Sequence, residues 1–421
     1  MRIAIFLYSQ ESHIKPFLHL FDEMVAQGYD CTLYIKESHR KLFNNKNLHF
    51  QYYDEFFLEN IIKFNKNLKN NDVSNTENKK VDYTQRLISF EAEYFFKIRC
   101  IKKYLNNCND DFSCYDIIMY DYYLYFGSYL AQTYQKPSVS LICNIVPTGR
   151  QVNLNLKNSL LMNYLANLDD DLANEDAINC QLKKISENIE KKYNIKFDLL
   201  KNGFGDINIM CHSKEFYPYE FVEDELFFIG RQTDETCPVI KSFEKKSILV
   251  HFGQIDSKFE KELLLEIINQ FKNANENVYI AIRNLNDWLP EPINDHEYPN
   301  HITIKPHLPF DKLITQVSLF ICHGGTTGIN EAVSNGVPAL MIPTSGERYL
   351  TSKRFAEMGA GLMLDCSIQS LKSDLMVLVK QLKNDPAYGR NASYLGECLK
   401  KAVGSTSHAV KAVTKLLSKH D

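Results

Sequence analysis

A chain of 421 residues is too long for one ordinary hydrophobic core, so two domains are the natural expectation. A net charge of −4, with Lys and Arg spread thinly, excludes an electrostatic case for nucleic acid or an anionic membrane surface. The composition, 44% hydrophobic and 24% charged, is that of a globular protein.

The eleven cysteines show no Cys-x-x-Cys pair. Cys143, Cys211 and Cys322 sit in apolar runs, where a thiol behaves as a small hydrophobe, so they read as reduced and buried. The opening run Met1-Arg2-Ile3-Ala4-Ile5-Phe6-Leu7 is too short for a signal peptide or a membrane span. A cytoplasmic protein without stable membrane insertion is expected, as a monomer or a homodimer.

Ile3 to Tyr8 is a nearly continuous apolar run, which suits a strand buried on both faces of a parallel sheet. Pro16 to Gln27 carries Phe17, Leu20, Phe21, Met24 and Val25 at helical spacing, and Gly28 ends it. Cys31 to Ile35 is the next strand, which completes a β-α-β unit with a right-handed crossover. Residues 60–82 break this rhythm with an Asn- and Lys-rich run. They read as a surface insertion, or alternatively as a lid over an acceptor pocket.

An aromatic-rich helical stretch is expected from Tyr83 to Leu105, then a strand at Ile117 to Tyr120, a helix from Tyr125 to Tyr134 and a strand at Ser138 to Cys143. Residues 156–200 read as mostly helical. Ile207 to Cys211 and Leu226 to Ile229 supply further strand pieces. Gly230 to Ser247 is polar, contains Pro238 and lacks periodicity, so the interdomain linker is placed there. Alternation then restarts with Ile248 to Phe252, a helix at 257–272, Val278 to Ile282, His301 to Ile304, Leu319 to Cys322, a helix from 327 and Ala339 to Ile342. Two successive α/β sections predict two facing, doubly wound Rossmann-like domains.

The most informative stretch is Leu319-Phe320-Ile321-Cys322-His323-Gly324-Gly325-Thr326-Thr327-Gly328-Ile329-Asn330-Glu331. It reads as a buried strand, a glycine turn and a helix start. Glycines let the backbone approach a ligand closely, and N–H groups at a helix start attract phosphate. The dipole supplies only about 0.3–1 kcal/mol, so it assists binding without explaining it. Glu331 follows His323 at a distance suited to a ribose diol. Asn335-Gly336-Val337-Pro338 then leads into another buried strand, and Glu347 lies past that strand's C-terminal end.

From Lys305 to Leu364 this pattern resembles the donor-binding signature of family 1 glycosyltransferases, the group of UDP-glycosyltransferases and bacterial macrolide glycosyltransferases. The resemblance implies the two-domain GT-B fold and transfer of a sugar from a nucleotide sugar. It implies that His323 and the backbone of Gly324, Gly325, Thr326, Thr327 and Gly328 bind the pyrophosphate. Glu331 would hold ribose and Glu347 the transferred sugar, with His307 also on the donor side. Ile248-Leu249-Val250-His251-Phe252-Gly253-Gln254 looks like the family's strand and turn at the start of the donor domain, which adds Gly253 and Gln254. The implied division is 1–235 for the acceptor domain and 236–401 for the donor domain. A closing helix at 402–421 would return to the first domain.

Three departures bear on the donor. Arg348 stands where UDP-glucose users commonly have Gln, Gly328 where a small hydroxyl residue often contacts phosphate, and Lys305 where plant members stack a Trp on uracil. Thr326 or Thr327 would substitute for the missing hydroxyl. Arg348 would read an anionic or unusual sugar or pair with Glu347, or else serve solubility alone. The co-substrate is expected to be a UDP- or TDP-sugar.

In the first domain, His13 follows the first strand on a turn expected to face the interdomain cleft. A hydroxyl attacking an anomeric carbon must lose its proton, and an imidazole near neutral pKa suits that role. The family's catalytic His occupies this turn, usually after Gly, where this chain has Ser12. Asp121, past the strand that returns to the same sheet edge, matches the family's Asp partner. Asp116 lies at the opposite end of that strand, and a capping Asp remains the alternative for Asp121. His19 falls inside the helix and reads as packing.

Asp169-Asp170-Asp171 lies in a polar helical stretch rather than at a strand end, so it reads as a solvated patch, and no metal is expected. The acceptor is expected to be a small aromatic or apolar molecule such as a natural product. Tyr52, Phe56, Tyr94, Phe95, Tyr122, Tyr123 and Tyr125 suit that role, although core packing explains most of them equally. A nucleotide-sugar epimerase and a non-catalytic nucleotide-sugar-binding protein are the competing readings.

Overall fold

The computed structural model describes residues 1–8, 10–52, 99, 111–145, 175–193, 203–218, 225–231, 247–253, 258–282, 299–344 and 346–420. Several expectations fall outside these residues: the insertion at 60–82, the helical stretch before residue 105 (Arg99 excepted), Asp169-Asp170-Asp171, Gln254, and the linker from 232 to 246 with the expected boundary at 235/236. The chain divides into two compact units. The first comprises Met1–Cys211, Tyr219–Ile229 and Val403–Asp421, and the second His212–Pro218 and Gly230–Ala402.

Among the described residues the first unit contains a parallel sheet of β1 (Arg2–Phe6), β2 (Asp30–Ile35), β3 (His49–Tyr52), β4 (Ile117–Asp121), β5 (Ser138–Ile142), β6 (Ile207–Met210) and β7 (Leu226–Phe228). Their order is β3-β2-β1-β4-β5-β6-β7, so the direction of winding reverses between β1 and β4. Ile3, Ile5, Ile117 and Met119 face one core layer, whereas Ala4, Phe6, Ile118 and Tyr120 face another. That two-sided burial is why these strands read as continuous apolar runs rather than alternating ones.

The expected helix from Pro16 differs in its start. Helical backbone already begins at Glu11–Ile14, passes through a 3₁₀ turn at Lys15–Phe17 and continues as Leu18–Ala26. Pro16 lacks an N–H, so it fits the opening of a new turn but not the interior of one long helix. His13 therefore stands on a short helical turn, not an open loop. Gly28 ends the long helix as expected. It has φ +85°, its N–H reaches Val25 O at 2.9 Å, and Tyr29 N reaches Met24 O at 3.1 Å.

The last helix, Thr406–His420, belongs to the first unit. It packs on the helix Leu18–Ala26 and on β6 and β7. Ala409, Val410, Val413 and Leu416 are its buried stripe, at i, i+1, i+4 and i+7.

In the second unit the described strands are β8 (Ser247–His251), β9 (Asn277–Ala281), β10 (Ile302–Lys305), β11 (Leu319–Cys322), β12 (Ala339–Met341) and β13 (Gly361–Met363). They pair in parallel in the order β10-β9-β8-β11-β12-β13, with the reversal between β8 and β11. Both units are thus Rossmann-like, as the alternation predicted. The segment His212–Pro218 joins this second unit because Arg354 donates to Phe216 O at 3.1 Å and to Glu215 O at 2.9 Å. Among the described residues no helix is long and apolar enough to cross a membrane.

The closing helix gives a direct test of the first core. Val413→Asp would bury a charge and should cost about 3 kcal/mol, which corresponds to roughly a hundredfold loss of amide protection. Hydrogen exchange should show that loss across Leu18–Ala26 and β6. Unchanged protection there would mean the helix does not complete this core.

Candidate functional site

In an open parallel sheet, ligands bind beyond the carboxyl ends of the strands, where the winding reverses. In the first unit that edge carries His13 after β1, Asp121 at the end of β4 and Cys143 just past β5. The structure brings these three together. His13 Nδ1 lies 2.8 Å from Asp121 Oδ2 and 3.2 Å from Cys143 Sγ. The Asp121 side chain is essentially buried, and its second oxygen, Oδ1, accepts from Tyr123 N at 2.9 Å.

A carboxylate can only accept, so Nδ1 carries the proton and the lone pair of the neutral ring sits on Nε2. The arrangement can take up a proton at Nε2 and stabilise the resulting imidazolium with Asp121. Tyr8 and Tyr123 flank the imidazole, with ring centroids 4.9 and 5.6 Å away. Asn144 Nδ2 donates to Tyr123 Oη at 3.1 Å and holds that ring in place.

Tyr8, Cys143 and Asn144 were not among the sequence candidates, although the position of Cys143 at a strand end was a usable signal. His19, the rival imidazole, lies 3.3 Å from Ile229 O through Nε2, and burial lowers its pKa. Asp116 sits at the far end of β4, where it accepts from Arg2 N at 2.8 Å. Of the aromatic candidates for acceptor contact, Tyr122 is a packing residue. Its ring lies against Gly203 and Phe204, and burial pushes its phenol up to about 12.

In the second unit the same edge carries Gly253 after β8 and His323 after β11. His323 Nδ1 donates to Phe252 O at 2.8 Å. Burial, then the charges of Arg348 and His251, hold the His323 pKa well below its usual value. The free protein therefore has a neutral His323 with its lone pair on Nε2. Without a ligand His323 thus brings no positive charge of its own to this turn.

The glycine turn is demanded by packing as well as by access. Gly324 has φ +83°, and a Cβ there would meet Ser352 Oγ at 2.0 Å and Arg348 O at 2.8 Å. At Gly325 a Cβ would meet His323 Nε2 at 2.6 Å. Gly325 is the N-cap of the helix Thr326–Ser334, which has no side-chain cap, so the positive end of the dipole is not masked by a capping oxygen. At Gly328 a Cβ would lie 3.2 Å from the Phe320 ring, which gives a physical reason for the missing hydroxyl residue. Thr326 does not replace it: Thr326 is buried, with Oγ1 3.4 Å from Thr351 Oγ1.

Glu331 is brought to this helix face and forms an ion pair with Arg231, which also donates to Thr327 O at 3.1 Å. Arg231 is a further residue the sequence reading passed over, because it lay at the edge of an unpatterned linker. Arg348 donates to Thr344 Oγ1 at 2.5 Å and to Glu260 Oε1 at 3.3 Å. It is thus partly neutralised from the helix Lys258–Gln270. Glu347 opens the helix Gly346–Glu357. His307 is exposed in the segment after β10.

Comparison with known proteins bears on the fold. A family model described as erythromycin biosynthesis protein CIII-like, C-terminal domain, matches residues 291–404. A Bacillus subtilis protein named as an uncharacterised UDP-glucosyltransferase, YojK, is 21% identical over 95% of this chain and 93% of its own. Among solved structures, the calicheamicin glycosyltransferase CalG4 superposes with a TM-score of 0.66 at 18% identity, covering 100% of this chain and 99% of its own. The spinosyn rhamnosyltransferase SpnG complexed with thymidine diphosphate reaches 0.60 at 12% identity, over 98% and 100%.

The neutral, buried His323 has a measurable consequence. In the unfolded chain its pKa returns to about 6.5, so below that pH the unfolded state binds more protons. Stability of the second unit is fully present above pH ~6.5 and declines as pH falls, by at most about 1.4 kcal/mol per unit from this group. The chain's single Trp, Trp288, lies within the second unit's span and offers a fluorescence probe. His323→Asn keeps a donor for Phe252 O but cannot titrate, so its urea midpoint should fall less between pH 7.5 and 5.5. Equal slopes in the two proteins would contradict a neutral His323.

Proposed function

We propose that the chain is a family 1 glycosyltransferase of the GT-B fold that transfers sugar from a nucleotide-sugar donor, with inversion, to a hydroxyl of a small aromatic or apolar acceptor. The observation that carries this reading is the 2.8 Å contact of His13 Nδ1 with Asp121 Oδ2, which leaves Nε2 as the basic nitrogen. Tyr8 and Tyr123 beside the imidazole suit a planar or apolar acceptor. The enzyme is cytoplasmic in this reading, and natural-product tailoring is the setting that best suits such an acceptor.

His13 Nε2 removes the acceptor's proton as its oxygen attacks the anomeric carbon from the face opposite the diphosphate. The bond from that carbon to the phosphate oxygen breaks, and nucleoside diphosphate leaves. Asp121 holds the imidazole in its productive tautomer and balances the imidazolium charge. General-base action of this kind contributes about 10²–10⁴-fold.

The second unit holds a UDP- or TDP-sugar. Glu331 accepts from ribose hydroxyls, with Arg231 fixing its carboxylate. The first turn of the helix Thr326–Ser334 receives the diphosphate, whose negative charge draws a proton onto His323 Nε2. Gly253, Gln254 and His307 complete the nucleotide side. Glu347 binds the transferred sugar, and Arg348, already shared with Glu260, limits which sugars fit. Arg presents donors only, so UDP-glucose is not automatically the preferred donor. No step in this chemistry needs a metal ion.

The two halves of this reading separate in a crossed experiment. His13→Ala should lower turnover about 10²-fold or more while donor affinity stays nearly constant. Glu331→Ala should weaken nucleoside diphosphate binding about tenfold or more, since a charge-assisted hydrogen bond is worth about 1.5–3 kcal/mol. Calorimetric titration with UDP and TDP, and product mass from a panel of aromatic alcohols, read the two effects. Wild-type turnover in His13→Ala would remove it as the base, and unchanged affinity in Glu331→Ala would remove it from the ribose. Donor isomerised without any acceptor would identify an epimerase instead.

A further inference from the structure

The base pair at the first unit's edge has a third member that the proposed transfer does not use. Cys143 Sγ approaches the same nitrogen, His13 Nδ1, as Asp121 Oδ2 does, and the three atoms lie within 4.8 Å of one another. Asp121 and Cys143 stand at the ends of β4 and β5, and His13 on the helical turn that follows β1, neighbouring strands of one sheet. Asp121 and Cys143 are buried, while His13 keeps 12% of its side chain exposed and so remains reachable from water.

An imidazole nitrogen, one carboxylate oxygen and one sulfur make a ligand set for a borderline-soft divalent cation. We propose that His13, Asp121 and Cys143 bind such a cation, Zn²⁺ being the type, and that its binding switches sugar transfer off. The inhibitory half rests on His13 being the base; the binding half does not.

Around tetrahedral zinc, ligand atoms of these kinds sit roughly 3.3–3.6 Å apart. The observed contacts of 2.8 and 3.2 Å need to open by about half an ångström, within reach of small side-chain rotations. Tyr123 N already holds Asp121 Oδ1, so Oδ2 is the oxygen presented. Solvent or a substrate oxygen would take the fourth position, as in open three-ligand sites.

The proton balance explains the inhibition. The S–H bond of Cys143 breaks, and its proton goes to water as sulfur binds the metal as thiolate. The imidazole stays neutral: its proton leaves Nδ1, which now donates a lone pair to the metal, and one proton resides on Nε2. No oxidant or reductant takes part. Nε2 then has no lone pair for the acceptor's proton. Mg²⁺, which demands oxygen ligands, should not compete for the site.

Co²⁺ titration of the full chain tests the binding half, because a thiolate bound to cobalt gives a near-ultraviolet charge-transfer band. The band should saturate near about one equivalent, disappear on adding Zn²⁺, be absent in Cys143→Ser and persist in Cys114→Ser, a change at an exposed cysteine. Zn²⁺ should lower sugar transfer by at least about tenfold, with recovery on chelation and no effect of Mg²⁺. No band in wild type, or an equal band in Cys143→Ser, overturns the site. A band that depends on Cys143 without inhibition keeps the site but overturns His13 as the base.

Discussion

Parallel strands must be joined by crossovers, and a sheet wound in both directions from its centre leaves a crevice where the winding reverses. That constraint places the two imidazoles and the groups beside them. Between β1 and β4 it leaves room for His13, Asp121 and Cys143, and between β8 and β11 for Gly253 and His323. The central strands are buried on both faces. What they supply is position: residues more than a hundred apart in sequence, such as His13 and Asp121, meet at 2.8 Å because β1 and β4 pair in register from Ile3 with Ile117 to Phe6 with Tyr120.

The two edges use an imidazole in the same tautomer for opposite electrostatic ends. His13 Nδ1 donates to a buried carboxylate, which favours the charged ring once a proton arrives at Nε2. His323 Nδ1 donates to a neutral carbonyl and faces the positive charge of Arg348, which disfavours the charged ring. In the proposed reaction the first is a base in waiting. The second becomes charged only when an anion supplies the compensating field. In the same proposal Arg231, which forms an ion pair with Glu331, orients that carboxylate for the sugar of the nucleotide.

The sequence made the central strands readable because burial on both faces turns each into an unbroken apolar run with a glycine or polar stop. Ile3–Phe6, Ile117–Tyr120 and Leu319–Cys322 stand where that pattern puts them. Two of the edge strands were not legible, whereas β7 and β10 were. β3 is His49-Phe50-Gln51-Tyr52, mostly exposed, and β13 is only Gly361-Leu362-Met363, so neither carries a periodic signal. His13 and Asp121 could be named together because each follows a readable strand. Cys143 and Arg231 were missed because their significance is contact with residues about a hundred positions away, which one-dimensional spacing does not encode. Thr326 misled for a related reason: a hydroxyl beside a glycine turn suits a phosphate, but helix phase turns this one inward toward Thr351.

The most direct test of direct displacement, with His13 taking the proton, is the configuration of the new glycosidic bond. A nucleotide sugar with an α-linked diphosphate should give a β-linked product, read from the coupling constant of its anomeric proton in ¹H NMR. An α-linked product, formed at the outset rather than by later equilibration, would contradict single displacement and the base assigned to it.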